Sequence, residues 1–171
     1  PAKTTAELIA HAKANPGKLN YAEASSSQRL SAEQFNQLAG VKIERVPYKS
    51  SPEAVRDVIA GQVQLMFPDL PQGLTQIRAG KVRGLGVAGA TRTKIAPDLP
   101  ALAEAVPGYE LTYWLAVFAP AATPAPIQKA LYDLVAEAMK DEKTGQAMTQ
   151  GRMEVSVLGL QQFDAFVKAE T

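Results

Sequence analysis

The chain has 171 residues, 46% hydrophobic and 20% charged, with 18 Lys and Arg against 17 Asp and Glu, one His and no Cys. Such a chain can bury one core, or one core plus part of another. The balanced charge without a basic block argues against a nucleic-acid surface, the lack of cysteine removes disulfides, thiolate chemistry and cysteine metal sites, and no apolar run is long enough for a membrane span.

Hydrophobic periodicity divides the first part of the chain into alternating helices and strands. Thr4, with Glu7 three residues on, opens a helix closed by Asn15-Pro16-Gly17; Leu8, Ile9 and Ala12 form its apolar stripe. His11 falls at the edge of that stripe, where a solvent-facing or half-buried role is expected. Residues 18–22 read as a strand, 23–27 as a polar loop, and 28–39 as a helix that turns Leu30, Phe35 and Leu38 inward before Gly40. A second strand follows at 41–46. Ser50 and Glu53 then form a capping box for a helix over 51–60, with Val55, Val58 and Ile59 as its stripe. A third strand at 63–67, a helix at 72–79 and a fourth strand at 82–88 complete a parallel, right-handed α/β pattern.

The second part reads differently. A loop over 91–108 carries a short helix at 101–105, and 111–118 is strand-like. A proline-rich connector at 120–126 leads to an amphipathic helix bearing Ile127, Leu131, Leu134, Val135 and Ala138. A helix near 143–149, a strand at 153–157 and a helix at 160–168 finish the chain. Two or three apolar helix faces thus have too little sheet to cover them.

Catalytic patterns are missing. A Ser–His–acid triad would have to use His11, and no G-x-S-x-G elbow is present; nor is H-E-x-x-H, a P-loop or a dinucleotide fingerprint, Gly84 and Gly86 lacking a third glycine. In a parallel α/β sheet, ligands bind beyond the carboxyl ends of the strands. Three loops lie there: Ser25, Ser26, Ser27, Gln28 and Arg29; Tyr48, Lys49, Ser50 and Ser51; and Asp69 to Gln72. Hydroxyls and free amides at helix starts suit a carboxylate, with Arg29 and Lys49 adding charge. The same serines could only cap and turn, and the two cations could simply be solvated. Asp69 could cap its helix, hold the neighbouring loops, or meet an amine or hydroxyl. Of Tyr113 and Trp114, one faces away from the core, either into packing or into a cleft. Glu23 is the one acid of the first loop, and an unpaired carboxylate there weakens an anion site.

Several strings carry a resemblance: residues 1–22 (PAKTTAELIAHAKANPGKLNYA), 40–67 (GVKIERVPYKSSPEAVRDVIAGQVQLMF), 79–110 (AGKVRGLGVAGATRTKIAPDLPALAEAVPGYE) and 114–127 (WLAVFAPAATPAPI). The chain resembles the solute receptors of tripartite tricarboxylate transporters, the Bug receptors, in the family's order along its whole length. The resemblance implies a type II periplasmic-binding-protein-like α/β lobe with a parallel sheet, plus a C-terminal helical tail from the other lobe of a Venus-flytrap protein. Residues 1–112 correspond to domain 2, and 113–171 to the crossover strand and C-terminal portion of domain 1. The family's serine- and glycine-rich loop falls on Ala24 to Arg29, its Y-K-G-x-x-P-A loop on Tyr48 to Ala54 with Ser50 in place of glycine, and its aspartate on Asp69.

The first loop departs from the family: it is short and glycine-free, and Arg29 stands near the place of a histidine. The family's N-terminal domain and signal peptide have no counterpart in the chain, and half of the cleft goes with them. The implied function is a non-catalytic, periplasmic receptor, or fragment of one, that takes a small carboxylate and hands it to membrane transporter subunits. No cofactor, metal or nucleic acid is implied, and a homodimer could cover the tail. A ligand-sensing regulatory domain of α/β build is the alternative, though no helix-turn-helix is evident; a serine hydrolase using Ser25 to Ser27 comes third, for want of a base.

Overall fold

The computed structural model describes residues 2–111, 114, 116–150 and 155–170, the side chains of 149, 150 and 170 excepted. The chain divides into two compact units, Pro1–Trp114 and Leu115–Thr171.

The first unit is built on a parallel sheet of β1 (Asn20–Glu23), β2 (Glu44–Pro47) and β3 (Leu65–Met66), in the order β2-β1-β3. Asn20 stands opposite Glu44 and Glu23 opposite Pro47, while Tyr21 stands opposite Leu65. Helices α1 (Thr5–Ala14), α2 (Ser26–Ala39), α3 (Ser51–Ile59) and α4 (Leu70–Arg78) accompany it. Because β2 and β3 flank β1 on opposite sides, right-handed crossovers put α2 and α3 on opposite faces. The cores confirm this. Tyr21 packs with Ala12, Ala32, Phe35 and Ala39 on one face, and its neighbour Ala22 packs with Ala54 and Val63 on the other.

Burial along α2 differs from the sequence expectation. Phe35 is buried, but Leu30 and Leu38 are 57% and 43% exposed, and the inward face is Gln28, Ser31, Ala32, Phe35 and Ala39. Small residues face in because two large rings press against them. The Tyr21 hydroxyl donates to Glu33 at 2.6 Å, and the Tyr109 hydroxyl donates to the Ser31 carbonyl at 3.1 Å. On α3, likewise, Ala54 is fully buried and Ile59 lies outward. His11 is half-buried.

The expected fourth strand at 82–88 does not form. Only one parallel bridge occurs there, Val87 with Ala101, the Val87 N–H donating to the Pro100 carbonyl and the Leu102 N–H to the Val87 carbonyl, each at 2.9 Å. Side-chain packing holds the segment instead. A Cβ on Gly84 would lie 2.7 Å from Ile77 Cδ1 and 2.8 Å from Leu99 Cδ2; one on Gly86 would lie 2.7 Å from Leu102 Cδ2 and 3.2 Å from the Pro100 carbonyl. The paired glycines therefore serve close approach, not phosphate binding. Residues 91–109 fold over this segment through a 3-10 turn, Leu102–Glu104, whose Leu102 joins Val106 and Tyr109 in the core.

In the second unit, α5 (Ala125–Lys140), α6 (Glu142–Gln150) and α7 (Leu160–Glu170) match three expected helices. Asp141 caps α6 by accepting from the Thr144 N–H at 2.9 Å. Phe118 and Phe163 have ring centroids 5.7 Å apart, and Phe163 and Phe166 6.5 Å. No residue of α5 is buried, and Ile127, Leu131 and Leu134 are among its exposed apolar side chains. The expected strands at 111–118 and 153–157 are not formed at 111, 114, 116–118 and 155–157; Tyr113 and the other residues of those spans lie outside the described residues. Among the described residues, no helix is long and apolar enough to cross a membrane.

Two measurements check this packing. Gly86→Ala should lower stability by roughly 1–3 kcal/mol through overpacking against Leu102, read as a reduced urea midpoint. Glu104 accepts from Arg92 Nε and Nη2 at 2.7 and 2.8 Å and from the Ala101 N–H at 2.9 Å. The Arg92 guanidinium first, then the Ala101 N–H, hold its carboxyl down at about 2, against an ordinary 4.5. A depressed folded-state value stabilises above the unfolded value and is lost as pH falls from about 4.5 to about 2. Glu104→Gln should therefore flatten the acid limb of the urea midpoint in that window; an unchanged limb would show that the pair does not contribute.

Candidate functional site

Each strand of the sheet ends at its carboxyl edge in the N-terminus of a helix: β1 in α2, β2 in α3 and β3 in α4. The N-caps are Ser25, Ser50 and Asp69, all in ordinary extended or polyproline-like conformations. The Tyr48 N–H donates to the Glu23 carbonyl at 2.8 Å, so β1 and β2 run level to the edge. Their following helices consequently start side by side.

Gln28 joins those two starts. It is 2% exposed. Its Oε1 accepts from the Ala24 N–H at 2.8 Å, and its Nε2 donates to Ser51 Oγ at 2.9 Å. Ser25 Oγ accepts from the Gln28 N–H at 3.4 Å and lies 3.0 Å from Ser27 Oγ. Ser25, Ser27 and Ser51 are thereby brought together around one buried carboxamide. Ser26 is the exposed first residue of α2. The N–H groups of Ser26 and Ser27, and those of Ser51 and Glu53 on α3, precede the first intrahelical bonds and donate to no acceptor among the described residues. They are free donors.

The other expected residues are less tightly tied. Ser50 occupies the N-cap of α3, but its side chain makes no cap bond, so the expected capping box with Glu53 is not formed. Gln28 takes over the organisation of that turn by reaching Ser51 instead. Arg29 and Lys49 are exposed, with no ion pair among the described residues. The Tyr48 hydroxyl donates to Asp57 Oδ2 at 3.1 Å, and burial, followed by that carboxylate, pushes it upward and keeps it protonated. Asp69 is exposed at the N-cap of α4 without a side-chain cap bond, and no hydrogen bond joins it to the other two loops.

Glu23 does not spoil the edge for an anion. It is the last residue of β1, 6% exposed, and accepts from Arg45 Nε on β2 at 2.7 Å. Its partner is Arg45, not Arg29. Arg45 stands opposite Tyr21 in the parallel register, two residues before Glu23, and its guanidinium cancels the carboxylate at its source.

Sequence reasoning placed Gln28 in the first loop without a role and missed Arg45 and Asp57. Gln28 carried a readable signal: Ser25-x-x-Gln28 is a capping-box pattern once the helix starts at Ser26 rather than Gln28. Arg45 and Asp57 had no comparable signal, since their partners come from other elements.

The profile of the tripartite tricarboxylate transporter family receptors matches residues 1–171. The UPF0065 protein of the tcbD-tcbE intergenic region of Pseudomonas sp. (strain P51) is 34% identical over 148 residues, 84% of this chain and 44% of that protein. Among solved structures, Rpa4515 of R. palustris with adipate is 35% identical and superposes with a TM-score of 0.89, over 99% of this chain and 58% of that one. MatC (Rpa3494) of Rhodopseudomonas palustris, with bound malate, is 28% identical with a TM-score of 0.74, over 88% of this chain and 52% of that one. The chain spans about half the length of the curated relatives it matches. On this evidence it belongs to the tripartite tricarboxylate transporter receptor family and has the α/β fold of those periplasmic binding proteins.

Proposed function

We propose that the carboxyl edge of the β2-β1-β3 sheet is one wall of a carboxylate-binding cleft in a periplasmic solute receptor that serves a tripartite transporter. The observation that carries this reading is the joining of the α2 and α3 N-termini through Gln28 at 2.9 Å, which gathers free amides and serine hydroxyls on one edge. Arg29 and Lys49 add positive charge near it, and Glu23 is neutralised. The solved relatives with adipate and malate support a small carboxylic acid as the ligand class.

In this reading, residues 1–112 form one lobe, and 113–171 supply the crossover and part of the opposite lobe, with a second chain as one cover for the apolar face of α5. The function is binding, not catalysis. The Ser25 and Ser27 hydroxyls face each other, and no imidazole or carboxylate hydrogen-bonds to either of them among the described residues. Selection of acids then follows from the donor-rich edge and its two cations.

Calorimetric and NMR titration of the chain with mono- and dicarboxylates tests the proposal. One wall alone should bind adipate or malate with a Kd of about 1 mM or weaker, shifting the Ser26, Ser27 and Glu53 amides. Micromolar affinity would overturn the single-wall reading. Absence of any shift at those amides at saturating acid would overturn the site.

A further inference from the structure

We propose that Gln28 is the positioning residue of this edge, fixing the spacing of two helix starts and the direction in which the Ser51 hydroxyl donates. The inference rests on the carboxylate-wall reading. The Ala24 N–H lies 2.8 Å from one end of the Gln28 carboxamide, and an N–H can face only its oxygen. The carboxamide orientation is thus set by the backbone. Its nitrogen must face Ser51, and at 2.9 Å Ser51 Oγ must accept.

This has a chemical consequence. The Ser51 O–H proton is not consumed by Gln28, and among the described residues it finds no acceptor. Ser51 is the first residue of α3 and half-buried, beside the free N–H of Glu53. Hydroxyl and amide therefore donate from the same turn, which fits the oxygens of a carboxylate.

Gln28 itself is 2% exposed, so it acts through Ser51 rather than on a ligand. Burial also denies its two bonds any replacement by water, which keeps the arrangement fixed. The Ser25–Ser27 pair differs. Two hydroxyls 3.0 Å apart share one proton between them and leave one O–H to point outward.

The experiment is an NMR titration of the isotopically labelled full chain with adipate, comparing wild type, Gln28→Met, Gln28→Glu, Ser51→Ala and the Gln28→Met/Ser51→Ala double variant. Methionine keeps the length and deletes both bonds. Glutamate keeps the acceptor for Ala24 but draws the Ser51 proton inward. Affinity should fall roughly threefold to tenfold in Gln28→Met, further in Gln28→Glu, and no more in the double variant than in Ser51→Ala alone.

Such non-additivity is a readout that a general loss of stability does not produce. If Gln28→Met does not fold, Gln28→Glu and Ser51→Ala carry the comparison. Wild-type affinity in the folded Gln28 variants, or additive losses in the double variant, would overturn the proposal while leaving the carboxylate wall intact. No wild-type response at the Ser26, Ser27 and Glu53 amides would overturn both.

Discussion

The burial of β1 on both faces is the constraint from which the rest of the first unit follows. A strand with Tyr21 and Ala22 each 1% exposed needs a helical layer on either side, so adjacent residues commit the chain to two cores. The ring of Tyr21 demands small partners, and Ala32 and Ala39 on α2 supply them. The methyl of Ala22 admits close approach, and Ala54 on α3 provides it. With α2 and α3 on opposite faces and both following strands that end level, their N-termini meet at one edge. The position of the site is thus a by-product of a two-residue packing decision in the central strand.

At that edge the hydrogen-bond inventory is lopsided. Several side-chain oxygens that could accept are engaged, Gln28 Oε1 by the Ala24 N–H, Glu23 Oε1 by Arg45 and Asp57 Oδ2 by the Tyr48 hydroxyl, while the Glu53 and Asp69 carboxylates accept no hydrogen bond among the described residues. Donors are left over, because a helix start always has more N–H groups than partners. Asp69 stands apart at the start of α4, exposed, its carbonyl accepting from the Gly73 N–H at 3.0 Å and its side chain making no cap bond. In the proposed reading, it is this surplus of donors at the starts of α2 and α3 that favours an acid.

The helix starts were legible in the sequence because local chemistry specifies them. Thr4 caps the helix it precedes, and the period of Ile127, Leu131 and Leu134 gives α5 its place, whereas α2 starts at Ser26, two residues before the expected Gln28. What was not legible depends on contacts distant in the chain. Residues 82–88 have the composition of a strand, but Leu99 and Leu102 press on Gly84 and Gly86 and take the segment away from β3. Leu30 and Leu38 fit a helical stripe, yet the inward face was decided by Tyr21 and Tyr109, which lie outside α2. Gln28 combined both cases, with a local pattern that could be read and a partner, Ser51, that could not.

The two edges of the sheet also differ in how they depend on their backbone. At the amino edge, Gly40 precedes β2 at φ 62° and Gly61 precedes β3 at φ 77°, values that favour glycine alone. The loops of the carboxyl edge, residues 24–29, 48–54 and 67–72, contain no glycine, and Ser25 and Ser50 sit at φ −152° and −149°, which any residue adopts. Glycine therefore pins the turns at the amino edge and not those at the carboxyl edge. In the proposed cleft, exposed side chains such as Ser26, Arg29 and Lys49 can therefore be exchanged without disturbing a glycine-dependent turn, whereas the buried, doubly bonded Gln28 cannot.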